Sequence, residues 1–238
     1  MPSRSQTKAV VMKQGGLQGY LLRLGAVLYY DGLLNGANIA NRGSGGSVLD
    51  GVPAGVTIDS NGMNFDGAAA SGSNIALASA SAVAGLAAYT YIQIAYAVGA
   101  GAASGGRLWD YANNGTHAGF VSGANLVLRV ARTGQASSTF TNFFPSYPQG
   151  PFIVFMGWSG TAITGHAAKL GATSLTAGTN ADGSGAVTDI SAQQLNVGNR
   201  TLRDRTWSGY QRVFAIINRT LSDAERNTTG QLAGILAA

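Results

Sequence analysis

Apolar and polar positions alternate within short runs along this chain, and clusters of Gly, Asn and Ser separate the runs. Such clusters supply turn conformations, so the runs read as β-strands joined by turns. The pattern predicts strands over TKAVVMK (7–13), YLLRLGAVLYY (20–30), GVTID (55–59), MNFDG (63–67), SNIALA (73–78) and YTYIQIAYAV (89–98). It continues through GRLWDYA (106–112), HAGFVSG (117–123), NLVLRVAR (125–132), STFTNFF (138–144), FIVFMGW (152–158), ITGHAAKL (163–170), QQLNVGN (193–199) and YQRVFAIIN (210–218). Closely spaced strands without intervening helices predict an antiparallel sandwich or barrel.

The alternation also assigns faces. In NLVLRVAR, Leu126, Leu128 and Val130 point one way and Val127, Arg129 and Ala131 the other, as on a strand with one buried face. In YTYIQIAYAV neither the Thr90, Ile92, Ile94, Tyr96, Val98 face nor the Tyr89, Tyr91, Gln93, Ala95, Ala97 face carries a charge, which predicts a central or covered strand. Only two segments read as helical. SASAVAGLA (79–87) is interrupted by Gly85 and predicts a single turn at most, whereas Ser222 to Glu225 form a Ser-x-x-Glu capping box ahead of Leu232, Ile235 and Leu236. No linker divides the chain, so the expected organisation is an N-terminal arm over 1–18 and one sandwich domain over 19–238.

Composition sharpens this picture. The chain has 238 residues, a usual length for a single all-β unit. Only 11% of residues are charged while 45% are hydrophobic, a balance that fits a globule rather than a disordered chain. The net charge of +5 comes from 15 basic residues against 10 acidic ones, and the bases are scattered except at 200–212, unlike the stripe of a nucleic-acid binder. Specific nucleic-acid recognition is therefore not expected. The absence of cysteine excludes disulfides and thiolate chemistry. Arg23 interrupts the only apolar run that could form a signal core, and no run is long enough to cross a bilayer as a helix, so neither a secretory leader nor a membrane partner is expected.

The stretch GNRTLRDRTWSGYQRVFAIINRTLSDAE, ending at Glu225, resembles the closing signature of the LamG-like, concanavalin A-like jelly rolls. IANRGSGGSVLDG (39–51) is similar to that family's early Asp-Arg-Ser-Gly-x-Gly loop, with Asn41 where the family has an acid. MNFDG, SNIALA and YTYIQIAYAV match its following strands, and the resemblance spans about residues 25–226. It implies an antiparallel two-sheet jelly-roll sandwich with a short C-terminal helix. The signature is mainly a folding device, so it specifies architecture better than activity.

Candidate chemistry is sparse. Glycoside hydrolysis needs two carboxylates about 5–10 Å apart. The Glu-x-Asp-x-x-Glu strand of the hydrolytic relatives cannot exist here, because Glu225 is the only glutamate and lies in the capping box. A Gly-x-Ser-x-Gly elbow and a P-loop are also absent. His117 and His166 are isolated and read as surface or sheet histidines. Asp66, Asp110 and Asp204 are calcium candidates by analogy with laminin-type modules, but no local loop gathers them, so no metal and no cofactor is assigned. The remaining candidate is the basic, aromatic cluster. Arg203, Arg205, Trp207 and Tyr210 could stack on sugars and bind acidic groups. The plainer reading, which carries more weight, pairs Asp204 with one arginine, packs Trp207 at the end of the sandwich and leaves the other side chains solvated.

Two non-enzymatic functions follow. The first expected role is a structural virion protein, a bacteriophage capsid decoration or cement protein assembled in the host cytoplasm. It would form a homotrimer and dock on a major capsid or tail protein, as the family's occurrence in phage heads and tails implies. The alternative is a lectin-like, glycan-binding module of a phage tail or fibre or of a bacterial surface protein.

Overall fold

A computed structural model describes residues 14–32, 34–68, 70–77, 82–98, 105–111, 117–122, 125–132, 135–141, 150–181, 189–190 and 192–237. In chain order its strands are β1 (Ala26–Tyr30), β2 (Leu34–Asn35), β3 (Asn38–Ile39), β4 (Gly51–Ala54), β5 (Thr57–Asp59) and β6 (Gly62–Asp66). They continue with β7 (Asn74–Leu77), β8 (Tyr89–Ala97), β9 (Arg107–Tyr111), β10 (His117–Ser122), β11 (Asn125–Arg132) and β12 (Gln135–Thr141). The last are β13 (Gly150–Trp158), β14 (Ile163–Lys169), β15 (Thr176–Ala177), β16 (Thr179–Ala181), β17 (Leu195–Val197) and β18 (Ser208–Ile217). Two helices flank them, α1 (Gln14–Arg23) and α2 (Asp223–Leu232).

The strands form two antiparallel sheets. One has eight strands in the order β15-β14-β13-β8-β18-β6-β5, with β1 also pairing β18, and the other has ten in the order β16-β12-β11-β10-β9-β17-β7-β4-β3-β2. Sequence neighbours repeatedly change sheet, β8 lying in the first between β7 and β9 of the second. The chain is an all-β, two-sheet jelly-roll sandwich with a short C-terminal helix.

Aromatic side chains fill the space between the sheets. Tyr91 stacks on Trp109 at 5.4 Å and on Phe214 at 6.2 Å, and all three are fully buried. The long strand β8 explains its uncharged pattern here. Tyr89, Tyr91, Ala95 and Ala97 face the other sheet, while Ile92 and Ile94 face a second apolar layer formed with Leu17, Leu21, Leu221, Ile235 and Leu236. What covers the outer face of β8 is therefore the chain's own helices and C-terminal segment.

The N-terminal side departs from expectation at one point. YLLRLGAVLYY is not one strand: Tyr20 to Arg23 end α1, and β1 begins at Ala26. Leu17 and Leu21, one helical turn apart, are both buried against the sheet, which favours helix over strand here. Gly25 makes the junction with a φ of +92°, and a Cβ there would lie 2.4 Å from Asn218 Oδ1. The boundary expected at 18/19 falls inside α1, and Leu17 from the expected arm packs in the domain's own apolar layer. The strand expected over 7–13 lies outside the described residues. Residues 82–85 form a turn, closed by a Leu86 N–H to Val83 carbonyl bond at 3.0 Å. Among the described residues no helix is long and apolar enough to cross a membrane.

Candidate functional site

The turn between β17 and β18 is organised by one buried amide. Asn199 Nδ2 donates to the Ser73 carbonyl at 3.1 Å and to Thr206 Oγ1 at 2.6 Å, while its Oδ1 accepts from the backbone of Arg200 at 2.8 Å and of Arg205 at 3.0 Å. A Trp207 N–H to Gly198 carbonyl bond of 2.8 Å closes the loop. Held in this way, the turn sends its side chains in different directions.

Arg200 forms a two-point pair with Asp204, Nε to Oδ1 at 2.5 Å and Nη2 to Oδ2 at 2.7 Å. This bond, more than charge alone, holds the Asp204 carboxyl below its ordinary pKa. Arg203 adopts a φ of +57° and clamps the neighbouring loop, donating to the Gly72 carbonyl at 2.7 Å and the Ser71 carbonyl at 2.9 Å. Trp207 is fully buried, 5.9 Å from the Phe152 ring, so it presents no face to solvent. Tyr210 lies on the opposite side of the eight-stranded sheet, partly exposed and 6.4 Å from Tyr96. Arg212 also leaves the cluster, donating to the Ser60 carbonyl at 2.5 Å. Of the four residues singled out from sequence, only Arg205 reaches the outer face of the ten-stranded sheet. Its carbonyl accepts from Arg107 N at 2.8 Å, and its guanidinium lies beside Gly105.

That outer face carries residues the contiguous motif did not include. The register of β9 against β10 slips at Leu108, pairing Trp109 with Gly119 but Arg107 with Phe120. The slip lets Arg107 and Asp110, three apart, share a face. Arg107 Nε lies 3.0 Å from Asp110 Oδ2, and its guanidinium sits 4.1 Å over the Phe120 ring. Register continues the row across the sheet: Asn196 opposes Asp110, Asp110 opposes Ala118, Ala118 opposes Arg129, and Arg129 opposes Thr139. Asn196 is tied to Asn74 at 3.1 Å and to Thr201 at 3.0 Å, so amides and a hydroxyl continue the row toward the turn.

The electrostatics of the face centre on Arg107. Burial pulls its guanidinium pKa below the ordinary value, Asp110 opposes this, and Arg200, Arg205 and Arg129 add to the depression. A guanidinium does not lose its proton in a protein, so the depression chiefly marks the cost of burying this charge, which Asp110 partly offsets. Arginine forks match carboxylate and sulfate-like oxygens in geometry as well as charge.

The histidines are elsewhere. His117 is buried between the sheets, its Nδ1 3.0 Å from the Tyr89 hydroxyl, and not on the surface. Half-buried His166 lines a shallow cavity of about 270 Å³ with Ser174, Leu175, Ala177, Asp223 and Asn227. Among the described residues no three His, Asp or Glu side chains gather as a metal site would require. Asp110 pairs with Arg107, Asp204 with Arg200, and Asp66 caps its own loop by accepting from Ala68 N at 3.0 Å and Ser73 N at 3.2 Å, so the three calcium candidates stay apart.

No protein-family model matches this chain, and no curated protein matches it. Solved structures do. The receptor-binding domain of botulinum neurotoxin mosaic serotype C/D aligns with a TM-score of 0.61 at 10% identity, over 88% of this chain and 51% of that one. The binding domain of botulinum neurotoxin DC in complex with SialylT gives 0.59 at 10% identity, over 87% and 51%. The same domain in complex with rat synaptotagmin II gives 0.56 at 10% identity, over 89% and 52%. The chain spans about half the length of these domains, and at such identity they establish the jelly-roll sandwich alone.

Proposed function

We propose that this chain is a non-enzymatic, lectin-like binding module that recognises glycans on the outer face of its ten-stranded sheet. The observation that carries the reading is the set of partly exposed side chains Arg107, Phe120, Arg129 and Thr139, which pairing places on neighbouring strands above the buried Asp110 and Asn196, with partly exposed Arg205 in the adjoining turn. Sugars are bound through such arrays of fixed donors and acceptors. The sandwich neighbours are themselves receptor-binding domains, one of them in complex with SialylT, which supports recognition over catalysis. The only glutamate is engaged in a helix cap, and Asp110 is fully buried against Arg107, an arrangement poor in the free paired carboxylates that glycoside hydrolysis needs.

A glycan array probed with the purified protein tests the reading. Saturable binding that Arg129→Ala reduces while the variant remains folded is the expected result. A folded protein that binds no glycan overturns it. Docking as a homotrimer on bacteriophage virion subunits, the other role the sequence suggests, takes second place because the solved structures reported above are receptor-binding domains.

A further inference from the structure

We propose that residues 7–13 of this chain dock in extended form across the outer face of their own eight-stranded sheet, on a platform of Tyr96, Tyr210, Pro151 and Val98. This face lies across the sandwich from the proposed glycan surface, so neither reading depends on the other.

The platform begins where the apolar layer under the helices ends. Ile153, Ile94 and Val213 lie side by side on β13, β8 and β18 and are buried in that layer. On the same face, two residues further along β8, Tyr96 opposes Pro151 on one side and Tyr210 on the other. The row continues as Tyr210 opposes Asn64 and Asn64 opposes Thr57. The two tyrosine rings lie 6.4 Å apart and are partly exposed, and Val98, just past β8, is 58% exposed. An apolar, aromatic cluster rimmed by polar residues is the form a docking surface takes.

Position, reach and charge point to the chain's own N-terminal residues as the occupant. α1 starts at the same end of the sheet as the platform: a Cβ on Gly16 would lie 3.8 Å from Leu232 Cδ2, the Ile235 carbonyl just beyond accepts from Gly171 N at 2.8 Å, and Leu170 N donates to the Pro151 carbonyl at 3.0 Å. The row from Pro151 to Thr57 crosses five strands. At usual spacing that is about 19 Å, and a seven-residue extended segment reaches about 23 Å. TKAVVMK offers Ala9, Val10, Val11 and Met12 to the platform, and methionine sulfur packs well against rings. Residues 1–13 carry Arg4, Lys8 and Lys13 and no acid, while exposed Asp59 and Asp66 rim the platform on β5 and β6 and outweigh partly exposed Arg212 nearby.

Tryptic cleavage of the full chain after Lys8 and Lys13, timed by mass spectrometry, tests the docking, because variants on the sheet leave the cleaved sequence unchanged. Such cleavage reads the population of undocked segment when docking is fast. Tyr96→Ser, Tyr210→Ser and Val98→Lys should each speed it by about fivefold or more, at a rate independent of protein concentration. Val52→Lys, at an exposed position of the other sheet, should leave it unchanged, and cleavage after Arg4, outside the docked residues, is the internal reference. Melting curves on each variant separate undocking from unfolding, and Val98→Lys alters an exposed side chain, so the test stands where a tyrosine variant fails to fold.

Equal cleavage in the parent and in the folded platform variants would overturn the docking. Protection that vanishes on dilution would assign the platform to the N-terminal residues of a second copy and overturn docking within one chain.

Discussion

Asn41 shows how one side chain fixes a loop that its resemblance would write with an acid. Its Oδ1 accepts from Tyr29 N at 2.9 Å and Gly43 N at 2.8 Å, and its Nδ2 donates to the Val27 carbonyl at 3.1 Å and the Gly46 carbonyl at 3.0 Å. A carboxylate could keep the first two bonds but would face two carbonyl oxygens with no proton to offer. Asn41→Asp should therefore destabilise the fold by roughly 2–4 kcal/mol, although it restores the family's residue. Urea denaturation at neutral pH measures this, and an unchanged midpoint would refute it. Trp207 makes the complementary point. It stands within four residues of Tyr210 in a segment that looks like one site, yet the odd separation along an extended chain already sends the two rings to opposite faces. Trp207→Ala should cost about 3–5 kcal/mol through the cavity it leaves, and any binding it loses should track unfolding. A folded Trp207→Ala protein that has lost ligand at full stability would contradict its burial.

At the scale of elements, period and punctuation made most strands legible, because Gly and Asn clusters mark where each run must turn. β8, β11, β13 and β18 fall where alternation puts them, and the capping box of α2 forms as spelled: Ser222 Oγ accepts from Glu225 N at 3.3 Å and Glu225 Oε2 accepts from Ser222 N at 2.9 Å. α1 was not legible as a helix because its apolar stripe of Leu17 and Leu21 merges into the continuous apolar run of β1. β4 was missed because Pro53 reads as a break, although Pro53 pairs with Ile75. The basic face was half legible: parity exposes Arg129, but bringing Arg107 beside it needs the slip at Leu108, which no local pattern announces. The cap itself is measurable. Ser222→Ala should lower stability by about 1 kcal/mol. Glu225 is held down to a pKa of about 2, first by its bonds to Arg219 and then by Ser222 N. A depressed carboxyl contributes stability that is present above its unfolded value and lost as pH falls toward its folded one. Glu225→Gln should flatten that part of the acid limb, and an unchanged limb would remove the role assigned to the pair.

For the molecule as a whole, the space between the sheets sets how stability responds to mild acid. His117 enters that space from β10, against Tyr89 at 3.0 Å and with the Tyr111 ring 6.3 Å away. Burial chiefly, and Arg132 secondarily, push its pKa down to about 3. Burial also lowers half-buried His166, with Arg226 adding to it and Asp223 opposing. An unfolded histidine takes up its proton near pH 6.5, whereas folded His117 does not until far lower. Between those values the unfolded state binds more protons, so stability falls as the solution is acidified, by up to about 1.4 kcal/mol per pH unit for one such group. Asp66, Asp204 and Glu225 are each held below their ordinary values by hydrogen bonds. Urea titrations at neutral pH and across the mildly acidic range should show a steady loss of stability to which His117 contributes. His117→Phe should start lower at neutral pH, because the Tyr89 hydroxyl loses its partner, yet decline less steeply. His166→Gln should remove only a smaller share of the slope. A His117→Phe protein with the same slope as the parent would place the proton uptake elsewhere and show that acid does not act between the two sheets.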